Sequence, residues 1–327
     1  MIRFPCCIAL LSALLSFGAL AQERADPEAA NFPARSIRIV VPFPAGGPSD
    51  VLARLIAQKM TEDFGQPMVV ENRPGANTVL GAQAVAKAAP DGYTLLMAID
   101  STLAMNQYLY RTPPYDPFND FAPVTLVAKT LQLMMVHAAS EVKSVGDLIA
   151  KAKAAPGRLN YGAGTITTRL TGYLFNQAAG VNTVLVPYNG SAEVTQGLLT
   201  RSVDFTLDGP SAAASLIQDG RFRVLAKFED RPFPPAPDAP AIGTIVPGLD
   251  AISVWLGLVA PKGTPPAIVN KLQREVAKVL ADPAIKAKAD AAGLFPVTTT
   301  PAEFAAFIAR EAERWSKVVK DSGMRYD

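Results

Sequence analysis

The strongest constraint in this sequence is its rhythm. Short β-branched runs alternate with longer stretches of 3.6-residue apolar period, and the alternation runs through twice. Residues 36–42 read as a strand. Ser49 and Asp50 then open a helix that carries Val51, Leu52, Leu55, Ile56 and Met60 on one face. Residues 68–71 form a second strand, 77–87 a second helix and 93–99 a third strand. This order predicts a parallel sheet wrapped by helices. The pattern restarts with strands at 132–136, 159–162, 183–186, 203–207 and 224–226. Helices at 145–154, 168–179, 192–199 and 211–218 lie between them. The second half thus holds its own sheet-forming set. Residues 231–240 are proline-rich and read as extended chain. A strand at 252–259 follows, then amphipathic helices at 265–280 and 301–319 that bring no new sheet and are expected to return to the first domain. The expected division is 22–127 plus 251–327 for one α/β domain and 128–250 for the other. The chain would cross near 125–129 and near 249–253, leaving a cleft that can hinge.

The start of the chain is of another kind. Arg3 precedes an apolar run over residues 4–20, no acidic residue occurs before Glu23, and Ala19-Leu20-Ala21 supplies small residues where a signal peptidase reads. Residues 1–21 are expected to be a cleaved signal peptide, which places the mature protein in the periplasm. The competing reading is a membrane anchor, for which the run is short. Cys6 and Cys7, the two cysteines of the chain, both fall in this segment, too early in it for lipidation. About 306 residues remain, with one histidine, His137, and no thiol. That composition excludes disulfides, thiolate metal sites and His-rich zinc sites. Basic and acidic residues number 31 and 29 in the whole chain and are interspersed, with no basic block to suggest nucleic acid. Catalytic patterns are poor. There is no Gly-x-Ser-x-Gly, and Ser140-Glu141-Val142-Lys143 lacks the partner motifs of the enzymes that use Ser-x-x-Lys. His137 follows an apolar strand and reads as structural. No catalytic residue, metal or cofactor is expected.

Residues 42–50, Pro-Phe-Pro-Ala-Gly-Gly-Pro-Ser-Asp, join a strand to a helix start. Glycines let backbone N–H groups approach a ligand, and a helix start offers free donors and partial positive charge to an anion such as a carboxylate. A plain turn capped by Ser49 or Asp50 fits the same residues. No Gly-Lys-Ser/Thr follows, so this is not a phosphate loop. Residues 162–169, Gly-Ala-Gly-Thr-Ile-Thr-Thr-Arg, repeat the arrangement in the second half. Thr167 stands where a dinucleotide motif needs its last glycine, so a hydroxyl-rich anion loop fits better. Asp100-Ser101-Thr102, Tyr188-Asn189-Gly190-Ser191 and Asp208-Gly209-Pro210-Ser211 also follow strands, on the edge where open α/β sheets bind ligands. Each also reads as an ordinary cap or turn.

Taken in order, several segments resemble the Bug family, extracytoplasmic receptors of tripartite tricarboxylate transporters. They are Ile-Val-Val-Pro-Phe-Pro-Ala-Gly-Gly-Pro-Ser-Asp at 39–50, Val-Val-Glu-Asn-Arg-Pro-Gly-Ala at 69–76 and Ala-Ala-Pro-Asp-Gly-Tyr-Thr-Leu-Leu at 88–96. Pro-Tyr-Asp-Pro at 114–117, Asp-Phe-Ala-Pro-Val at 120–124, Val-Pro-Tyr at 186–188 and Ala-Pro-Lys-Gly-Thr-Pro at 260–265 complete the set. The resemblance implies a two-lobed α/β fold of the periplasmic binding protein type II, closing on a small mono- or dicarboxylate. It implies carboxylate capture by Phe43, Pro44, Ala45, Gly46, Gly47 and Ser49, through backbone groups and water. Asp100, Ser101, Thr102, Thr165, Thr167, Tyr188 and Asp208 match positions that line the family's cleft. The implied partners are the carboxylate and membrane transporter subunits, or else a sensor protein, with the receptor itself a monomer. A secreted hydrolase is the rival from another class.

The second half departs from the family. Its 162–169 loop looks short, Arg169 stands where histidine is common, Tyr173 where glutamate is common, and Asn189 where lysine is common; the chain also looks one residue shorter after Asp208. Arg169 is expected either to meet a distal carboxylate with its guanidinium fork or to be structural. Phe43, Tyr188 and Trp255 either flank an aromatic acid or pack.

Overall fold

The computed structural model describes residues 30–249, 252 and 254–326. The expected signal peptide, both cysteines and the expected domain limit at 250–251 lie outside the described residues.

The first half begins with β1 (Ile37–Val41), α1 (Pro48–Phe64), β2 (Met68–Asn72), α2 (Val79–Ala86) and β3 (Thr94–Ile99). A π-helical turn at Ser101–Met105 and the short α3 (Asn106–Leu109) lead on to β4 (Phe121–Thr130). The late segments β10 (Val254–Pro261) and β11 (Leu294–Pro296) complete a six-stranded sheet in the order β11-β4-β10-β3-β1-β2. The second sheet has five strands. They are β5 (Leu133–His137), β6 (Asn160–Ala163), β7 (Val184–Pro187), β8 (Phe205–Asp208) and β9 (Phe222–Lys227), in the order β7-β6-β8-β5-β9. Helices α4 (Val145–Ala154), α5 (Ile166–Ala179), α6 (Ser191–Leu199) and α7 (Ala214–Gln218) connect them. The chain is thus a two-lobed α/β protein.

Two expectations are corrected. The sheets are mixed, not parallel: β1 pairs parallel with β2 and β3, but β10 runs antiparallel to β3 and β4, and β5 antiparallel to β8 and β9. Strands that enter a sheet directly from the other lobe have no crossover helix to reverse them. Residues 125–129, expected at the first crossing, lie inside β4. Only Leu131 and Gln132 separate β4 from β5, so the chain changes sheets there.

Both faces of the first sheet are covered, which is why β1 is nearly all apolar. Ile39 and Val41 pack with Leu52, Ile56 and Met60 of α1 and with Leu272 and Val276 of α8 (Pro266–Ala281). Val40 faces the other way, against Val79 and Ala82 of α2 and Phe304 of α10 (Pro301–Ser322). Helix α9 (Pro283–Ala291) precedes β11. The 22-residue α10 does more than cover the first lobe. Phe304, Ile308 and Ala312 pack on the first sheet, whereas Trp315 and Val319 join the core that holds Leu170, Leu225 and Phe228 of the second lobe. One helix therefore contributes to the cores of both lobes.

Candidate functional site

The segment after β1 is shaped by a buried carboxylate. Asp50 is 3% exposed and accepts hydrogen bonds from the Gly46 N–H (3.0 Å), from Asn72 Nδ2 (2.9 Å) and from Arg54. Burial alone would raise its pKa, but the Arg54, Gly46 and Asn72 hydrogen bonds outweigh it and hold the group below its ordinary value. Gly46 sits at φ +87°, a conformation that favours glycine. Its N–H is thereby committed to Asp50 rather than to a ligand. Gly47 is the N-cap of α1 and supplies no side-chain cap, and Pro48 opens the helix. Neither Ser49 nor Asp50 is the cap. The N–H groups of Ser49 and Asp50 have no partner within the helix.

This open helix start faces a pocket of about 590 Å³, its mouth included. The first lobe contributes Phe43, Pro44, Ala45, Gly47, Pro48 and Ser49 together with Ile99, Val254 and Leu256. The second contributes Thr165 and residues 189–193, and Thr130 stands at the end of β4. A neighbouring pocket of about 750 Å³, mouth included, shares Phe43, Pro44, Asn189 and Glu193 with the first. It adds Tyr188, Arg169, Gly164 and the turn at 74–78. The two pocket-lining loops of the second lobe pack backbone to backbone. A Cβ on Gly164 would stand 2.8 Å from the Gly190 carbonyl carbon, so Gly164 serves close packing.

The structure brings Phe43, Pro44, Ala45, Gly47, Ser49 and Thr165 together around the first pocket. Tyr188 and Arg169 line the second. Arg169 is buried, and its fork is in use. It donates to the Tyr326 hydroxyl (2.8 Å), the Tyr188 carbonyl (2.9 Å) and Asn77 Oδ1 (3.4 Å). Its Nε is buried without a partner among the described residues. This placement ties the lobes to each other, and Arg169 lines the neighbouring pocket rather than the first.

Asp100, Ser101, Thr102, Thr167 and Asp208 line neither pocket. Thr102 donates to the Thr78 hydroxyl (2.9 Å), and its carbonyl accepts from Tyr115. Thr167 packs against Met105 of the opposite lobe. Asp100 is fully buried, which pushes its pKa up to about 7 against the opposing Thr167 hydroxyl and Ser101 N–H. Asp208 supports the pocket from behind. It accepts from the Ser191 hydroxyl (3.0 Å) and the Gly209 N–H (2.8 Å), and burial pushes its pKa up to about 6. Trp255 is 1% exposed, packs against Phe304 and Phe307, and donates to Glu311, so it belongs to the core rather than the cleft.

Sequence reasoning missed Asn189 to Glu193 as a group, although the 188–191 segment stood out and only Tyr188 was drawn from it. It also missed Thr130, Val254 and Leu256. The last two carry no signal beyond that of an apolar strand.

Fold and cleft together define a two-lobed periplasmic solute-binding protein. A family model described as "Tripartite tricarboxylate transporter family receptor" matches residues 52–324, and the chain belongs to that family. It is 35% identical to protein BugT of Bordetella pertussis over 322 residues, 97% of this chain and 98% of that one. A solved R. palustris structure with adipate is 37% identical, with a TM-score of 0.85 over 89% of this chain and 98% of that one. MatC of Rhodopseudomonas palustris with bound malate is 30% identical, with a TM-score of 0.81 over 88% of this chain and 100% of that one. The family and fold are those of receptors rather than enzymes. Among the described residues no cluster of His, Asp or Glu could hold a metal ion, and no helix is long and apolar enough to cross a membrane.

Proposed function

We propose that this protein is exported to the periplasm through a signal peptide, residues 1–21, that is then cleaved, captures a small mono- or dicarboxylate between its lobes and delivers it to a membrane transporter. The observation that carries this reading is the uncapped start of α1, open to a pocket lined by both lobes. One ligand carboxylate accepts from the Ser49 and Asp50 N–H groups, and the Ser49 hydroxyl and neighbouring backbone hold bridging water. The lobe built on the first sheet moves against the lobe built on the second, and the second lobe closes on the ligand with Thr165 and the 189–193 segment. The closed form is what the transporter recognises. The relatives crystallised with adipate and malate support a carboxylate as the class of cargo.

Thermal unfolding of the mature protein against a panel of mono- and dicarboxylates tests the reading. At ligand concentrations 100-fold above Kd, binding adds about 2.7 kcal/mol of stability and raises Tm by several degrees. A panel in which no carboxylate moves Tm contradicts the proposal.

A further inference from the structure

We infer that Asn72 is a positioning residue for carboxylate capture: it keeps the Asp50 carboxylate turned away from the start of α1 and so leaves that start open to the ligand. This rests on the receptor reading above and names what maintains its anion seat. Asn72 itself lines neither pocket. β2 delivers it to the binding edge, where Val41 and Asn72 are register partners at the ends of their strands. Its side chain is fully engaged. Nδ2 donates to Asp50 Oδ1 (2.9 Å) and to the Phe43 carbonyl (3.1 Å), and Oδ1 accepts from Arg54 (2.9 Å). Asn72 thereby holds both ends of the turn before α1: Phe43, which lines both pockets, and Asp50, in the first turn of the helix.

Asp50 is the third residue after the Gly47 N-cap. An acidic side chain at that position commonly turns back on its own helix start, and this chain does so twice. Asp147 accepts from the N–H of the α4 N-cap, Ser144 (3.0 Å), and Glu303 from the N–H of the α10 N-cap, Thr300 (2.8 Å). The Asp50 oxygens instead accept from Gly46, Arg54 and Asn72. Arg54 alone is a weak anchor, because it is a half-exposed partner one helical turn away. Asn72 steadies it by accepting from its guanidinium while donating to the same carboxylate. Without Asn72, Asp50 is released to do what Asp147 and Glu303 do. Its negative charge would then stand at the start of α1, in competition with the ligand.

Calorimetric titration of the mature protein tests this, in variants whose circular dichroism matches the parent. The probe is whichever of hexanoate, benzoate, adipate and malate binds the parent most tightly. Asn72→Ala should weaken its binding about tenfold. Asn72 is uncharged and lines neither pocket, so neither a lost ligand contact nor a lost charge accounts for such a loss. Asp50→Asn separates positioning from structural support. Added to Asn72→Ala it removes the competing charge and should restore affinity about threefold or more, whereas in the parent it should bring no gain. Asn72→Ala binding within about twofold of the parent would overturn the inference. So would Asp50→Asn weakening the Asn72→Ala protein further, or strengthening the parent equally. If Asn72→Ala does not fold, Asn72→Ser, with a shorter side chain and one donor, is judged by the same comparisons. Each of these failures leaves the receptor reading standing. A parent that binds none of the four acids would overturn both.

Discussion

The two lobes present three helix starts to the same pocket, and these are closed to different degrees. In the second lobe, α5 is closed by the Thr165–Thr168 capping box, whereas α6 starts at Gly190 without a side-chain cap and its Glu193 carboxylate accepts from the Asn189 N–H. In the first lobe, α1 begins at a bare glycine and a proline, and its acidic residue is turned away to hold Gly46, Asn72 and Arg54. Position at the end of a strand is shared by all three and so cannot identify an anion seat. Unsatisfied donors facing a cavity can.

The comparison breaks most sharply if α1 is given a side-chain cap such as α5 has. Gly47 has φ −81°, and a Cβ there would meet nothing closer than 3.9 Å, so Gly47→Asp fits without strain. Its carboxylate would cap α1 and occupy the seat. Carboxylate affinity should fall about 100-fold, or about 2.7 kcal/mol, by calorimetry, while Tm holds or rises slightly.

The next effect concerns Arg169, which separates a tie between lobes from a ligand contact. Arg169→Met leaves the Tyr188 carbonyl, Asn77 and Tyr326 without their donor. Urea unfolding should show a loss of about 2 kcal/mol. Hexanoate affinity referred to the folded fraction should change little. A large loss of affinity with unchanged stability would return Arg169 to the ligand.

Asp100 gives a pH test of the surface where the lobes meet. Burial raises its pKa from 3.8 to about 7, and Glu311 adds to the rise. A group raised on folding favours the folded state when protonated. Its contribution is therefore complete below about pH 4 and is lost as pH climbs through about 7. Asp100→Asn should flatten the Tm profile across that window and raise Tm by a few degrees at pH 7.5. The smallest change is Thr165→Ala, which opens the α5 start and should cost about 1 kcal/mol of stability.

Much of the fold was legible because periodicity is local. The α4 bounds agree with the pattern, and most other shared elements start and end within two or three residues of it. Several elements were not visible, among them the π-helical turn at Ser101–Met105, α3, β4, α9 and β11. β4 contains Pro123 and lacks strict alternation, α9 is a short alanine- and lysine-rich helix, and β11 spans only Leu294–Pro296. The mixed character of the sheets was hidden because strand direction depends on where the chain changes lobes. At the site, the 43–49 segment was readable from glycine, proline and helix-start chemistry. Cap occupancy was not: how Asp50 is held depends in part on Asn72, 22 positions away in sequence, and what Arg169 reaches depends on Tyr326, 157 positions away.

Backbone amide shifts under titration with hexanoate read the anion seat itself. The Ser49 and Asp50 amides should move progressively downfield and saturate together with the calorimetric isotherm, while the Ala192 and Glu193 amides move far less. Saturable shifts at Ala192 and Glu193 with Ser49 and Asp50 unmoved would contradict the assignment of the open α1 start as the place where the carboxylate binds.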